Sequence, residues 1–273
     1  MASKSTIVVS VDVGETRVAL IENGILSEIF VERERDRSPV GNIYLGKVTR
    51  VLPGMQAAFV DVGLERTAFL HAGDISTPQG ADGAVNLPPV EDIRRLVNPG
   101  DDILVQVVKD PIGTKGARLS TQISIAGRML VYLPQEKHIG VSQRIEDEGE
   151  REALREKLTR LVPGDEPGGF IVRTMAEGAS EADLANDIAY LRKIWAELKV
   201  KARTTAPPAL IYQELNLAQR VLRDFVNPET ARIVLDSREN FTKLASFAEI
   251  YTPAVRGLLE HYTGERPLFD LFG

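Results

Sequence analysis

Residues 46–75 read GKVTRVLPGMQAAFVDVGLERTAFLHAGDI, and residues 99–120 read PGDDILVQVVKDPIGTKGARLS. Short β-branched and aromatic runs (GKVTRVL, AAFVDVG, TAFLHAG, DILVQVVKD) alternate with Gly and Pro turns. Strands of this length and spacing predict a small barrel or sandwich. Between the two stretches, ISTPQGADGAVNLPPVED is rich in Gly, Pro and polar residues and reads as a long surface loop.

The flanks read differently. Thr6–Val13 (TIVVSVDV) is fit for a buried strand, and Arg17–Glu22 for a second. Asn23-Gly24 signals a hairpin, since both residues tolerate positive φ. Ile25–Glu32 completes an antiparallel meander, and ERERDRSP is a solvated connector. Beyond Leu133-Pro134 the texture turns helical. Glu146–Leu161 is amphipathic, with Leu154, Leu158 and Leu161 on one face and acids at its positive end. GGFIVRT is a strand, and Ser180 caps a helix over 181–201 with Leu184, Ile188, Leu191, Ile194, Trp195 and Leu198 at helical spacing. Pro207-Pro208 breaks the chain, two or three shorter elements follow, and Phe269, Leu271 and Phe272 form an apolar tail that either docks or is followed by more protein.

Composition limits the chemistry. Of 273 residues, 43% are hydrophobic and 26% charged, an ordinary globular mix. The formal charge of -6 excludes a globally basic coat, so nucleic acid would have to meet a local patch. Without cysteine there is no disulfide, thiolate zinc site or cysteine nucleophile, which fits a reducing, cytoplasmic setting. Three scattered histidines suggest no metal site, and no apolar run approaches a membrane span.

The stretch from Gly46 to Ser120 resembles an S1-type RNA-binding domain, a five-stranded OB barrel. The opening Gly-Lys-Val, AFVDVG, AFLHAGDI and the closing VQVV … RLS carry the likeness, and the insertion from Ser76 to Asp92 departs from it. Such barrels stack bases on exposed aromatics beside a few cations. Phe59 and Phe69 are the candidate rings, and Lys47, Arg50, Arg66, Lys115 and Arg118 the candidate phosphate contacts. An isolated strand Phe is ordinarily core; the barrel resemblance favours exposure here.

In order, RVALIENG, NIYLGKVTRVLPGMQAAFVDVGLERTAFL, KGARLSTQISIAGRMLV, GGFIVRT and YTGERPLF resemble the N-terminal half of the bacterial ribonuclease E/G family. The resemblance implies an α+β chain in which an S1-type OB β-barrel and a small α/β 5′-sensor domain are inserted into a split RNase H-like domain. The implied boundaries are 1–38 and 217–273 for the two RNase H-like parts, 39–122 for the S1 domain and 123–216 for the sensor. Phe59, Phe69 and Lys115 then match residues that hold RNA near the scissile bond. Gly127 and Val131 match positions cradling the 5′-terminal nucleotide, and Arg173 and Thr174 match the pair that binds the 5′-monophosphate. A guanidinium beside a hydroxyl suits phosphate, although Arg173 alone would read as a surface charge ending a strand. A further basic residue of the family falls near GVSQRIED, where this chain has Gln143 followed by Arg144, so Arg144 is its candidate substitute.

The family cuts single-stranded RNA with carboxylates holding Mg²⁺, in a DNase-I-like domain beyond the matching region. A zinc-linking Cys pair and a tetramer-forming domain also lie there. The implied chain therefore binds 5′-monophosphorylated RNA, holds neither a catalytic residue nor a metal or other cofactor of its own, does not cleave alone and is a monomer, while the parent enzyme is a homo-oligomer. Two rivals remain at this stage. VDVGETRVALIENG also resembles the phosphate hairpin of actin-like kinases, but no second Asp-Gly-x-Gly motif follows. The other is a stand-alone S1-type RNA-binding regulator.

Overall fold

The computed structural model describes residues 5–76, 92–164 and 166–272. Its contacts divide the chain into two compact units, residues 1–37 with 215–273, and residues 38–214.

In the first unit, β1 (Ser5–Asp12), β2 (Glu15–Glu22) and β3 (Ile25–Arg33) form the antiparallel meander read from the sequence. Asn23 and Gly24, with φ of 53° and 81°, make its tight turn. β14 (Thr230–Leu235) pairs parallel with β1, and β15 (Leu259–His261) parallel with β14, giving the order β15-β14-β1-β2-β3. Ile7, Val8 and Val9 are all buried because β1 is central and covered on both faces. On one face pack α4 (Leu217–Arg220), the π-type turn that follows it and α5 (Arg238–Tyr251). On the other, Val8, Ala19, Ile21 and Val234 meet Leu268 and Phe269. The apolar tail thus docks in part: Leu268 is buried, whereas Leu271 and Phe272 stay exposed.

In the second unit, β4 (Ile43–Leu52), β5 (Ala57–Asp61), β6 (Ala68–His71), β7 (Asp102–Lys109) and β8 (Arg118–Ser120) close into a barrel. β4 pairs with β5 through its second half and with β7 through its first, while β6 and β8 run parallel. Inward residues Val48, Ala58, Val60, Leu70, Val105, Val107 and Leu119 fill it, and Ile93 of the short α1 (Ile93–Leu96) joins that core. Apart from its two ends, the expected 76–92 insertion lies outside the described residues.

A four-stranded sheet follows, ordered β11-β12-β10-β9, from β9 (Ile125–Ala126), β10 (Leu130–Leu133), β11 (Ile139–Val141) and β12 (Gly169–Val172). Leu130, Tyr132, Phe170 and Val172 pack with α2 (Glu148–Leu161) and α3 (Glu181–Thr204), through Leu154, Leu158, Leu184, Ile188 and Leu191. Ser180 and Asp183 close a capping box at the start of α3. β13 (Ala209–Tyr212), within the segment 123–216, pairs antiparallel with the barrel strand β4. Ile43 of the barrel accordingly shares a core with Leu198, Ile211 and the sheet residues. Gln106 ties the same layers together: its Nε2 donates to Gly41 O (3.0 Å) and Ser124 O (2.9 Å), and its Oε1 accepts from Ser124 N (2.9 Å).

Candidate nucleic-acid interface

The barrel site follows from strand alternation. Ala58 and Val60 point inward and are fully buried, so Phe59 between them points out; Ala68 and Leu70 do the same for Phe69. Register sets the two rings directly opposite each other, and both are half-buried and outside the barrel core. Their centroids lie 6.2 Å apart at 70°, an edge-to-face pair. Arg50 is opposite Phe59 on one side, and Arg118 opposite Phe69 on the other. The outward row therefore reads cation, ring, ring, cation. Arg118 is braced by Asp74, whose carboxylate accepts from Nε (2.9 Å) and Nη2 (3.1 Å). Lys47 is committed to Asp102 at 2.7 Å. Lys115 is exposed in the turn closed by the Ile112–Lys115 bridge, one residue before Gly116, whose backbone crosses against Thr67 O. The arrangement offers flat apolar faces flanked by positive charge, which suits bases on a phosphate chain.

The second group gathers at one end of the four-stranded sheet. β12 delivers Arg173 straight after the buried Val172. Arg173 N donates to Met129 O (2.8 Å) and its Nη1 to Gly127 O (2.5 Å), which draws Gly127 and Arg173 together. Thr174 opens the 3-10 turn beyond it. Val131 lies opposite Ile171 and Ala126 in one half-exposed row across three strands. Arg144 sits in the turn after β11, which Ser142 N fastens to Val172 O (2.8 Å); Gln143 and Arg144 are both exposed.

One residue at this end escaped the sequence reading. Asp187, on α3, is 8% exposed. Its Oδ2 accepts from Met129 N (2.9 Å) and Leu130 N (2.8 Å), and its Oδ1 from Arg128 N (3.3 Å). Burial pushes its carboxyl above the usual range, while those three N–H groups and the Arg173 charge pull it down. The signal was present in the sequence. Asp187 stands in the apolar stripe of α3, three residues after Leu184 and four before Leu191, where a charge needs a dedicated partner.

Several acids accept local backbone hydrogen bonds. Asp12 accepts from Val13 N, Asp61 from Gly63 N, and Asp147 caps α2 through Glu150 N. Among the described residues no group of three His, Asp or Glu could hold a metal, and no helix is long and apolar enough to cross a membrane.

Comparison with known proteins agrees with the barrel. Residues 37–122 match the S1 RNA binding domain, and residues 124–273 match the Ribonuclease E/G family. The chain is 52% identical to Ribonuclease G of Escherichia coli over 268 residues, 97% of this chain and 54% of that protein. It is 45% identical to Ribonuclease G of Haemophilus influenzae over 98% of this chain and 54% of that protein. Against Ribonuclease E of Nostoc the identity is 36%, over 85% of this chain and 33% of that protein. The chain spans about half the length of the Ribonuclease G relatives it matches. The barrel with its paired rings, the S1 match and the family match over more than half of the sequence lead to one assignment: the chain belongs to the ribonuclease E/G family.

Proposed function

We propose that this chain is the RNA-binding and 5′-monophosphate-sensing part of a ribonuclease E/G-type endoribonuclease that acts on single-stranded RNA in its processing and decay. In this reading, residues 1–38 and 217–273 form a split RNase H-like domain; the meander followed by two parallel strands supports it. Residues 39–122 are the S1 domain and 123–216 the sensor.

Each group has a distinct task. Phe59 and Phe69 stack on bases, and Arg50, Lys115 and Arg118 meet phosphates along the strand. Arg173 donates to the 5′-terminal phosphate, the Thr174 hydroxyl adds a donor, and Arg144 supplies charge from the neighbouring turn. Gly127 and Val131 line the place of the terminal nucleotide. A monophosphate fits this set, whereas a triphosphate carries more bulk and charge into the same space. Cleavage needs metal-bound water. We assign that step, with its Mg²⁺-binding carboxylates and the Zn²⁺-linked assembly of a homo-oligomer, to the half of the relatives outside the alignment. By itself the chain binds and senses RNA without cutting it, in the cytoplasm.

The observation that supports the sensor most is Arg173, half-buried at the end of β12 with one edge of its guanidinium fixed on Gly127 O. The test compares a 5′-monophosphorylated oligonucleotide with its 5′-hydroxyl twin. The monophosphate form binds more tightly, and Arg173→Ala abolishes the difference. Equal affinities of the unaltered chain for the two forms overturn the reading.

A further inference from the structure

A carboxylate inside an apolar core needs compensation for its lost hydration. Asp187 finds it in three successive backbone N–H groups, those of Arg128, Met129 and Leu130, at 3.3, 2.9 and 2.8 Å. Converging backbone donors of this kind make an anion-binding concavity, and here the protein fills it with a side chain of its own. The fit leaves no room for more. A Cβ on Gly127 would lie 2.6 Å from Asp187 Oδ2, so the turn closes over the carboxylate only because residue 127 is glycine.

The same turn carries the contacts that orient Arg173. Gly127 O takes Nη1 at 2.5 Å, and Met129 O takes the backbone N–H at 2.8 Å. The carboxylate's charge also acts on the guanidinium. A continuous set of bonds therefore runs from α3 through Asp187 to residues 127–130, and from there to the guanidinium. The N–H donors of a guanidinium form a rigid fork, so the fork's direction decides what it can grip.

We propose that Asp187 is the positioning residue of the 5′-phosphate sensor: its carboxylate holds the 127–130 turn, and through it the Arg173 guanidinium, in the direction that receives the terminal phosphate. The proposal rests on the reading of Arg173 as the phosphate ligand. It requires a carboxylate, because an amide has one acceptor oxygen and would turn its NH₂ toward at least one backbone donor.

The test measures binding of the 5′-monophosphate and 5′-hydroxyl forms of one short single-stranded RNA to the whole chain. The hydroxyl form has every feature of the RNA but the terminal phosphate and serves as the internal control. With Asp187→Asn, the preference for the monophosphate falls about tenfold, and the hydroxyl Kd stays at its original value. In the Asp187→Asn background Arg173→Ala brings the preference to the level of Arg173→Ala alone, since both changes act on one contact. Leu184→Ala, a core truncation on the same helix, lowers the melting temperature and leaves the preference intact. If Asp187→Asn folds too poorly to titrate, Asp187→Ser is read by the same ratio. A preference retained by the folded Asp187 variant overturns the proposal and leaves the sensor reading standing. Equal loss of both affinities reduces Asp187 to a helix anchor and overturns it as well. No preference in the unaltered chain removes the sensor reading and the proposal with it.

Discussion

Phe69→Ala separates an exposed stacking ring from a core ring. If Phe69 stacks on a base, its removal costs about 1–3 kcal/mol of binding, a rise in Kd of roughly fivefold to 150-fold. Its stability cost is modest, because the ring is half-buried and outside the barrel core. The chief loss is the edge-to-face contact with Phe59, worth about 0.5–1.5 kcal/mol. Leu70→Ala, one residue on and fully buried, gives the reverse pattern: about 2–5 kcal/mol of stability with little change in RNA affinity while the protein stays folded. The 70° between the rings adds a second quantity. Two rings so inclined cannot both lie flat on one base, so each serves a different base. Phe59→Ala with Phe69→Ala then loses about 2–6 kcal/mol, close to the sum of the single losses. Fluorescence anisotropy of a labelled 5′-hydroxyl oligonucleotide at one fixed salt concentration gives the Kd values, since phosphate binding varies steeply with salt. Single variants whose Kd stays within twofold of the original refute stacking. Affinity loss that only follows melting temperature across all three substitutions refutes it equally.

Two further outcomes probe the scaffold. Gln106→Leu keeps the volume but strips partners from Gly41 O, Ser124 O and Ser124 N, so urea unfolding shows a loss of about 1–3 kcal/mol or more; an unchanged midpoint would mean that those groups find other partners. Burial, and then the charge of Glu166, push the Tyr132 hydroxyl up to about 12 from an ordinary value near 10. The folded state thus keeps a proton that the unfolded chain releases, and stability present below about pH 10 is lost as the pH rises toward 12. Melting curves of Tyr132→Phe should fall less steeply across that range, and a slope equal to the original would count against the assignment.

The legible parts of this chain were those written in local pattern. Asn23-Gly24 announced its hairpin because positive φ has few donors in the alphabet, and Ser180 announced α3 because its hydroxyl meets the Asp183 N–H three residues on. The barrel strands were legible from their short β-branched runs between Gly and Pro turns, whereas the outward placing of Phe59 and Phe69 came from the resemblance to an S1-type barrel and not from alternation. Long-range pairing was not. β14 joins β1 across more than two hundred residues, and nothing local in Thr230–Leu235 names its partner. β9, β10 and β11 have two, four and three residues, too few for a period to emerge. β13 follows a Pro-Pro break and adds to β4 with a register shift, which no spacing rule foresees. At the candidate sites the exposed groups were legible by chemical type, whereas their supports, Gln106, Asp74 and Asp187, act through contacts fixed only in the fold.

Those supports bear on how binding could be strong on a chain of net negative charge. Each group proposed for recognition is anchored on its inner side by something rigid. Phe59 and Phe69 alternate with fully buried Ala58, Val60 and Leu70; Arg118 is gripped by Asp74 at two nitrogens; Arg173 follows buried Val172 and is tied to Gly127 O. Groups held this way give up little side-chain freedom when a ligand arrives, and that freedom is otherwise worth about 0.5–1.5 kcal/mol per immobilised side chain. The acids beside Arg118 and Arg173 lower the net charge of the sites while fixing the direction of their donors. The arrangement therefore favours recognition by placement over attraction at a distance, which is what a -6 chain requires if it is to hold a polyanion at chosen atoms rather than along its whole surface.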